Sequence, residues 1–554
     1  MKTRWLYAWT ALAAALCAAA TFHPETESDS FWHMMLGRAV LAAHARVVPE
    51  PTALPSFTHA AVCPEWLWEV LLYGLFLAGG WVALVLLVAA IGVAIVFLSV
   101  RLVGEVAPDA GGGAVAWISG FVVSCAMARM RTRPETPATA LLLATLVLTS
   151  LYLGASSTRR RWLFGAAIVA TDLVWAQIHG SFVLAPALFV ILVGPALARE
   201  ARPEVRTTHL ATLAGLVFTL LSTAYGLDLF AYLAAHAGGD ATRHVSDMQA
   251  TSFMTLDPMN VASTPHGPLI LCLGASGVAG MLLARELWGR EIALAVLGGA
   301  LAFDAVRFLA IAPIFFVPLA ARGAVVVARA LAGGAETGRA RRLVVRALPA
   351  LGAVVGLAAI VNTAHLVDER FGPLGHVGPA EEVHPLAAAA YLAAAPAGAN
   401  VLSTYNAGGA LGYLLDGHAR TYVDARTPLY FDDVAFGVSR DVFTRPAALA
   451  IAAERFDAAA IVVSRDARVC ASVPPGYVPV VVEAHLSTFA RGGDALKAVT
   501  PCGADYIAAS ACGDVAGFDR EIERLTSLRD SAFVRYLRAE RILRCGGSID
   551  DVPS

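Results

Sequence analysis

The sequence predicts a polytopic α-helical membrane protein that ends in a soluble α/β domain. Three observations predict it. Of 554 residues, 57% are hydrophobic and only 15% charged, whereas soluble domains run near a quarter charged. Apolar stretches close to the ~18–20 residues that cross a bilayer recur along the first two thirds of the chain. Beyond residue 361 the long apolar runs stop, and short β-type runs alternate with helical ones. The net charge of −2 excludes a general nucleic-acid binder.

The apolar runs lie at 5–21, 80–101, 113–128, 138–156, 162–178, 181–197, 208–224, 266–284, 291–305, 307–329 and 345–361. This gives about eleven transmembrane helices, since only helices satisfy backbone polar groups in lipid. The 291–329 region reads as one long span or as a hairpin turning near Asp304 and Arg307. Arg clusters set the orientation. Lys2 and Arg4, Arg159 to Arg161, Arg199 to Arg206, Arg285 and Arg290, and Arg339 to Arg342 all fall inside if helices alternate. The outer side then receives 22–79, 129–137, 225–265 and everything after about 362. Arg129, Arg131 and Arg133 break the positive-inside tendency, and an anionic ligand is one reason for such an exception. Residues 1–20 read as an uncleaved first helix, with a signal peptide as the alternative. Both place the next segment outside.

The membrane domain is thus 1–361, with a first external loop at 22–79, and the extracytoplasmic domain is 362–554. In the loop, 29–44 has helical apolar spacing. The segment 65–77, EWLWEVLLYGLFL, reads as a helix lying on the membrane surface before Gly79 and Gly80 turn the chain inward. In the terminal domain, Asn400–Thr404, Ala419–Val423, Ala459–Ser464 and Val478–Glu483 read as strands, and Leu386–Ala395, Ala447–Arg455 and Phe518–Leu543 as helices. Cys17, Cys125 and Cys272 fall in apolar helices as packing residues. Cys470, Cys502, Cys512 and Cys545 suggest two disulfides with three open connectivities.

The chemistry-bearing stretch is 27–33, ESDSFWH. A helix beginning near Asp29 places His33 on the same face one turn later. Such a group suits a divalent cation or a general base. The plain alternative is a solvated helix start with Asp29 at the positive end of the helix dipole.

The blocks ESDSFWHMMLGRAV, VPEPTALPSFT and PEWLWEVLLYGLFLAGGW resemble the first external loop of the C-type membrane glycosyltransferases, which use polyprenyl-phosphate-linked sugars. That group includes protein O-mannosyltransferases, aminoarabinose transferases and oligosaccharyltransferases. RTRPET, QIHGSF and AVRFLAIAPIF resemble its later blocks, and YNAGGALGYLL with TYVDARTPLY resembles the opening of its external terminal domain. Two departures stand out: Glu27 where relatives commonly carry Asp, and STAYG where Asn-Pro-Tyr-Gly is expected.

The resemblance implies a transferase in the bacterial cytoplasmic membrane that moves a hexosyl or pentosyl group at its outer face. The donor is a polyprenyl-phosphate-linked sugar held among membrane lipid, and the acceptor is a glycan, lipid or protein. Because the phosphate leaves as a stable anion, a general acid is dispensable. A base and positive charge are not. Asp29 is the expected base, with Glu27 and His33 beside it. Arg131, Arg133, Arg307 and His266 are expected on the phosphate side, since guanidinium groups hold phosphate bidentately. Glu27 and Asp29 are the expected ligands of a cation such as magnesium or manganese. Glu65 and Glu69 share a face that either orients the acceptor or meets lipid headgroups, and His179 reads as a substrate ligand or a helix cap. Asp304 with Arg307 reads equally as an ion pair, and Asp424 with Arg426, after a strand, reads as a buried ion pair ahead of a carbohydrate or partner site. Two other classes compete: a transporter or flippase, which needs a polar path through the membrane, and a scaffold with an external binding domain.

Overall fold

The computed structural model describes residues 4–49, 52, 60–229, 266–333, 338–371, 375–424, 426 and 442–546. Helices occupy every predicted apolar run: Arg4–Ala19, Trp66–Val106, Gly112–Met127, Glu135–Leu153, Thr158–Trp175, Leu184–Arg199, Pro203–Thr219, His266–Ala284, Gly289–Asp304, Ala312–Gly333 and Gly338–Phe371. Among the described residues six stretches are long and apolar enough to cross a membrane, one of them Gly180–Arg199, in which a 3-10 turn leads into Leu184–Arg199; about eleven were expected. Arg4–Ala19 and Gly112–Met127, with 16 residues each, fall short of a full span. The 291–329 region is a hairpin, because a short 3-10 turn at Val306–Ala310 separates its two helices.

The surface helix and the span after it form one element, Trp66–Val106, broken where the sequence predicts. Gly79 and Gly80 leave helical geometry there, and Gly80 takes φ +59°, which side chains with a Cβ rarely adopt. The turn separates the site-facing start of this helix from its membrane-buried remainder.

In the first loop, a helix runs from Asp29 to Ala43. It lies against the start of Trp66–Val106, and Gly37 permits the close approach. A Cβ on Gly37 would collide with the Glu69 carbonyl. His33 stands one turn before Gly37, so the same crossing carries its ring toward Glu65 and Glu69. A short antiparallel pair, β1 (Val47–Pro49) and β2 (Ala60–Val62), closes the loop.

The terminal domain holds a five-stranded mixed sheet in the order β4-β3-β5-β7-β6, formed by Ala419–Thr421, Ala399–Ser403, Ala458–Ser464, Leu486–Arg491 and Tyr477–Val482. β3 pairs in parallel with β4 and β5, and β7 pairs antiparallel with β5 and β6. The predicted strands are present. β7 and the helix Tyr405–Leu415 are additions, and the predicted helix 518–543 is two helices, Val515–Leu528 and Ala532–Arg544. Of the three connectivities, the structure has Cys470–Cys502 and Cys512–Cys545. Cys17, Cys63 and Cys125 are buried, whereas Cys272 is exposed on the surface of its apolar helix instead of packed inside. Asp424 and Arg426 form a buried ion pair at 2.6 Å, and Gly408 and Gly409 lie inside the helix Tyr405–Leu415.

Gly37→Val drives the loop helix away from Glu69. Overpacking a close crossing typically costs about 1–3 kcal/mol, so the purified variant melts at lower temperature than wild type in the same detergent. An unchanged melt would show that the crossing tolerates a side chain.

Candidate active site

Residues from three separate stretches meet at one end of the helical bundle. Glu25 lies in an isolated bridge, Ser28 already has helical geometry, and the loop helix begins at Asp29. Across from it, Arg131 and Arg133 precede Pro134, which sets the N-terminus of Glu135–Leu153. Glu27 pairs with Arg131, and Arg133 reaches Glu27 at 3.5 Å. Arg133 also binds Asp29 at 2.6 Å and faces Glu135 at 3.6 Å. The other Asp29 oxygen accepts the Trp32 indole N–H at 3.0 Å. One guanidinium therefore touches three carboxylates, and each guanidinium bond fixes two side chains at once.

Burial sets the electrostatics. It pushes the Asp29 carboxyl up to about 6, against the opposing pull of Arg133 and the Trp32 hydrogen bond. Burial also opposes ionisation of Glu27, but Arg131, Arg133 and Arg129 outweigh it and hold Glu27 below the ordinary range. Two carboxylates two residues apart thus diverge. Glu27 stays ionised, and Asp29 titrates close to neutrality, as a proton acceptor should.

A second cluster adjoins the first. His33 Nε2 lies 3.9 Å from Glu65 and Nδ1 lies 3.8 Å from Glu69. One ligand atom from each of the three residues falls within 4.8 Å of the others. His33 and Glu69 are 1% and 0% exposed; His33 Nδ1 makes no hydrogen bond, and the Cys63 thiol donates to the Glu69 carboxylate. A buried polar atom left unpartnered is costly. Burial pushes His33 down to about 3, so its imidazole is neutral at pH 7, and burial pushes Glu65 well above the ordinary carboxylate range. One imidazole nitrogen with two carboxylates is a donor set for zinc or manganese more than for magnesium, which favours oxygen ligands and retained waters.

The expected residues sort as follows. Glu27, Asp29, Arg131 and Arg133 form one bonded network. Both acids expected as cation ligands are engaged by guanidinium groups, and the histidine-containing cluster lies beside them. No bond joins His33 to Asp29 among the described residues. His179 caps the short turn Gly180–Val183, accepting from the Ser181 N–H at 3.1 Å. Burial pushes it down to about 4, and it feels the charges of Glu135, Arg307, Arg133 and Arg129. Arg307 therefore belongs to this end of the bundle, and no ion pair joins it to Asp304 among the described residues. His266 opens its helix, but its side chain lies outside the described residues, as does the loop 230–265.

Three residues escape the sequence reading. Glu135 completes an Arg-x-Arg-x-Glu alternation, so its signal was available in RTRPET. Glu25 extends the acidic alternation backward, and its side chain accepts the Glu27 N–H at 2.9 Å and the Thr132 hydroxyl. Trp32 stands within ESDSFWH, but its bond to Asp29 depends on rotamer, not spacing.

Arg133→Met removes the guanidinium that favours the Asp29 carboxylate. The Asp29 titration should then move upward from about 6, as read from the carboxyl band in infrared difference spectra against Asp29→Asn. An unmoved titration would mean that Arg133 does not act on Asp29.

No protein-family model matches the chain, and no curated protein matches it. Solved structures do. The Archaeoglobus fulgidus oligosaccharyltransferase, in a complex with zinc and sulfate, aligns over 82% of this chain and 68% of its own at 12% identity, with a TM-score of 0.53. ArnT from Cupriavidus metallidurans, bound to undecaprenyl phosphate, aligns over 91% of this chain and 100% of its own at 12% identity, with a TM-score of 0.49. The chain thus shares its fold with the archaeal oligosaccharyltransferase, and in this chain that fold joins a helical region, an acidic first loop and a terminal α/β domain.

Proposed function

We propose that this protein transfers a sugar from a polyprenyl-phosphate donor to an acceptor hydroxyl at the outer face of the bacterial cytoplasmic membrane. The observation that carries the reading is the Asp29–Arg133 contact at 2.6 Å, flanked by Glu27–Arg131. It sets a near-neutral carboxyl beside the guanidinium groups that a departing phosphate needs.

In the reaction, Asp29 accepts the proton of the acceptor hydroxyl. The acceptor oxygen bonds to the anomeric carbon, and the bond from that carbon to the phosphate oxygen breaks. The electron pair leaves on polyprenyl phosphate. Arg131, Arg133 and Arg307 take up that charge in a site where burial strengthens the attraction. Glu27 holds Arg131 and Arg133 in place. His266 and His179 are assigned to the phosphate side, and Glu65 and Glu69 to the acceptor side. The transferred group is a hexose or pentose, and the acceptor is a protein, polysaccharide or glycolipid hydroxyl. A divalent cation fits His33, Glu65 and Glu69, where it would fix the loop helix against the start of Trp66–Val106 and neutralise the buried acids. The zinc in the archaeal oligosaccharyltransferase complex is consistent with such a ligand.

Asp29→Asn keeps the shape and loses the base. General-base help is worth about 10²–10⁴ in rate, so transfer in membranes expressing the variant at normal level should fall by that order while a lipid-linked sugar accumulates. In the wild type, transfer should fall as pH drops through about 6, where Asp29 gains its proton. Full transfer by the Asp29→Asn protein, or a wild-type rate flat from pH 7 to pH 5, would remove Asp29 from the role. Metal analysis of the purified protein should find a stoichiometric transition metal that is lost in Glu69→Gln. Equal metal in both would place the cation elsewhere.

A further inference from the structure

The terminal domain does not hang free of the acidic loop. Glu25 N–H donates to the Gly378 carbonyl at 2.7 Å, and Ala380 N–H donates back to the Glu25 carbonyl at 2.8 Å. The two segments thus form an isolated parallel bridge at Glu25 and Pro379. The same Glu25 carbonyl accepts a second bond, from His384 Nε2 at 2.7 Å. A carbonyl only accepts, so the His384 proton sits on Nε2. The His384 ring also meets Phe31 edge-on at 4.8 Å, and it is 2% exposed. Glu25 faces the other way as well. Its carboxylate takes the Glu27 N–H and the Thr132 hydroxyl, and Thr132 in turn bonds Ser30. One residue therefore ties three segments: the terminal domain through its backbone, and the Glu27–Asp29 and Arg131–Arg133 segments through its side chain.

A second contact reinforces the first. The helix Tyr405–Leu415 packs on the loop helix through Gly409, where a Cβ would stand 3.1 Å from the Ser28 carbonyl and 3.4 Å from Trp32. Trp32 is the residue that bonds Asp29. Farther along, Arg38 pairs with Asp416 at 2.6 Å, and the Thr421 N–H donates to the Thr52 carbonyl at 2.9 Å.

We infer that His384 is a positioning residue, through which the terminal domain holds Glu25 and so keeps the acidic loop in register with Arg131 and Arg133. Glu25 is the joint. The terminal domain thereby forms part of the working site, apart from any part it has in acceptor binding. This rests on the transfer reading above only for its effect on rate; the structural joint stands without it.

The experiment compares His384→Ala, His384→Gln and Arg38→Ala in the full-length protein. Gln offers an amide N–H to the same carbonyl, and Arg38→Ala loosens the same interface away from Glu25. Hydrogen exchange should rise across 22–33 in His384→Ala and return toward wild type in His384→Gln. Misplacing a catalytic group by about 1 Å costs on the order of 10²-fold. His384→Ala should therefore lower kcat by about that factor with the donor KM nearly unchanged, Gln should recover most of it, and Arg38→Ala should lower the melting temperature with kcat intact. Faster exchange with normal kcat would overturn the positioning role. Unchanged exchange would overturn the joint itself. A wild type without transferase activity would sink the transfer reading and leave the exchange result to judge the joint.

Discussion

Everything at this end of the molecule depends on guanidinium groups meeting carboxylates that burial would otherwise neutralise. Asp29 and Glu27 sit where ionisation is costly, and they come from a loop that the membrane helices alone do not place. Arg131 and Arg133 make ionisation tolerable and fix position in the same bonds. Without them the first loop would bury two acids with no opposing charge from that segment. The network therefore gives a structural reason for basic residues where the charge pattern of the chain predicts none.

The surrounding fold keeps that network fixed. Gly37 lets the loop helix approach Glu69, and the break at Gly79 and Gly80 frees the start of Trp66–Val106 to lie along the site while its remainder enters the apolar bundle. Trp66 Nε1 reaches Gln177 at 2.8 Å, which anchors the same start to the segment bearing His179. The terminal domain closes the arrangement through Glu25 and the Gly409 face. Three regions distant in sequence thus immobilise one short acidic segment.

Much of this was legible in the sequence, because hydrophobic periodicity and breakers act locally. The helices fall on the predicted runs, and the Gly79–Gly80 turn falls where the glycines allow it; the sequence left 291–329 open between one span and a hairpin, because 304–311 holds no breaker. The convergence of Asp29 with Arg131 and Arg133 followed from charge sidedness together with family likeness. Other features depend on partners distant in sequence. His33 turns toward Glu65 and Glu69 because a glycine lets two helices touch, and no spacing within 27–33 encodes that. Glu25 reads as one more solvated acid until Thr132 and Gly378 are beside it. β7 was missed because its inward-facing polar residues, Ser487 and Thr488, obscure the apolar pattern of a buried strand. The count of spans suffered from the reverse problem, since Arg4–Ala19 and Gly112–Met127 are apolar but short.

The central claim is that Asp29 and Arg133 act as one unit in the transfer step. The most direct measurement is a double-mutant cycle on the rate of polyprenyl phosphate release, using Asp29→Asn, Arg133→Gln and the pair. Residues of a single catalytic unit are strongly non-additive, so the account predicts that the pair is scarcely slower than the slower single variant. Independent losses that multiply in the pair would contradict it.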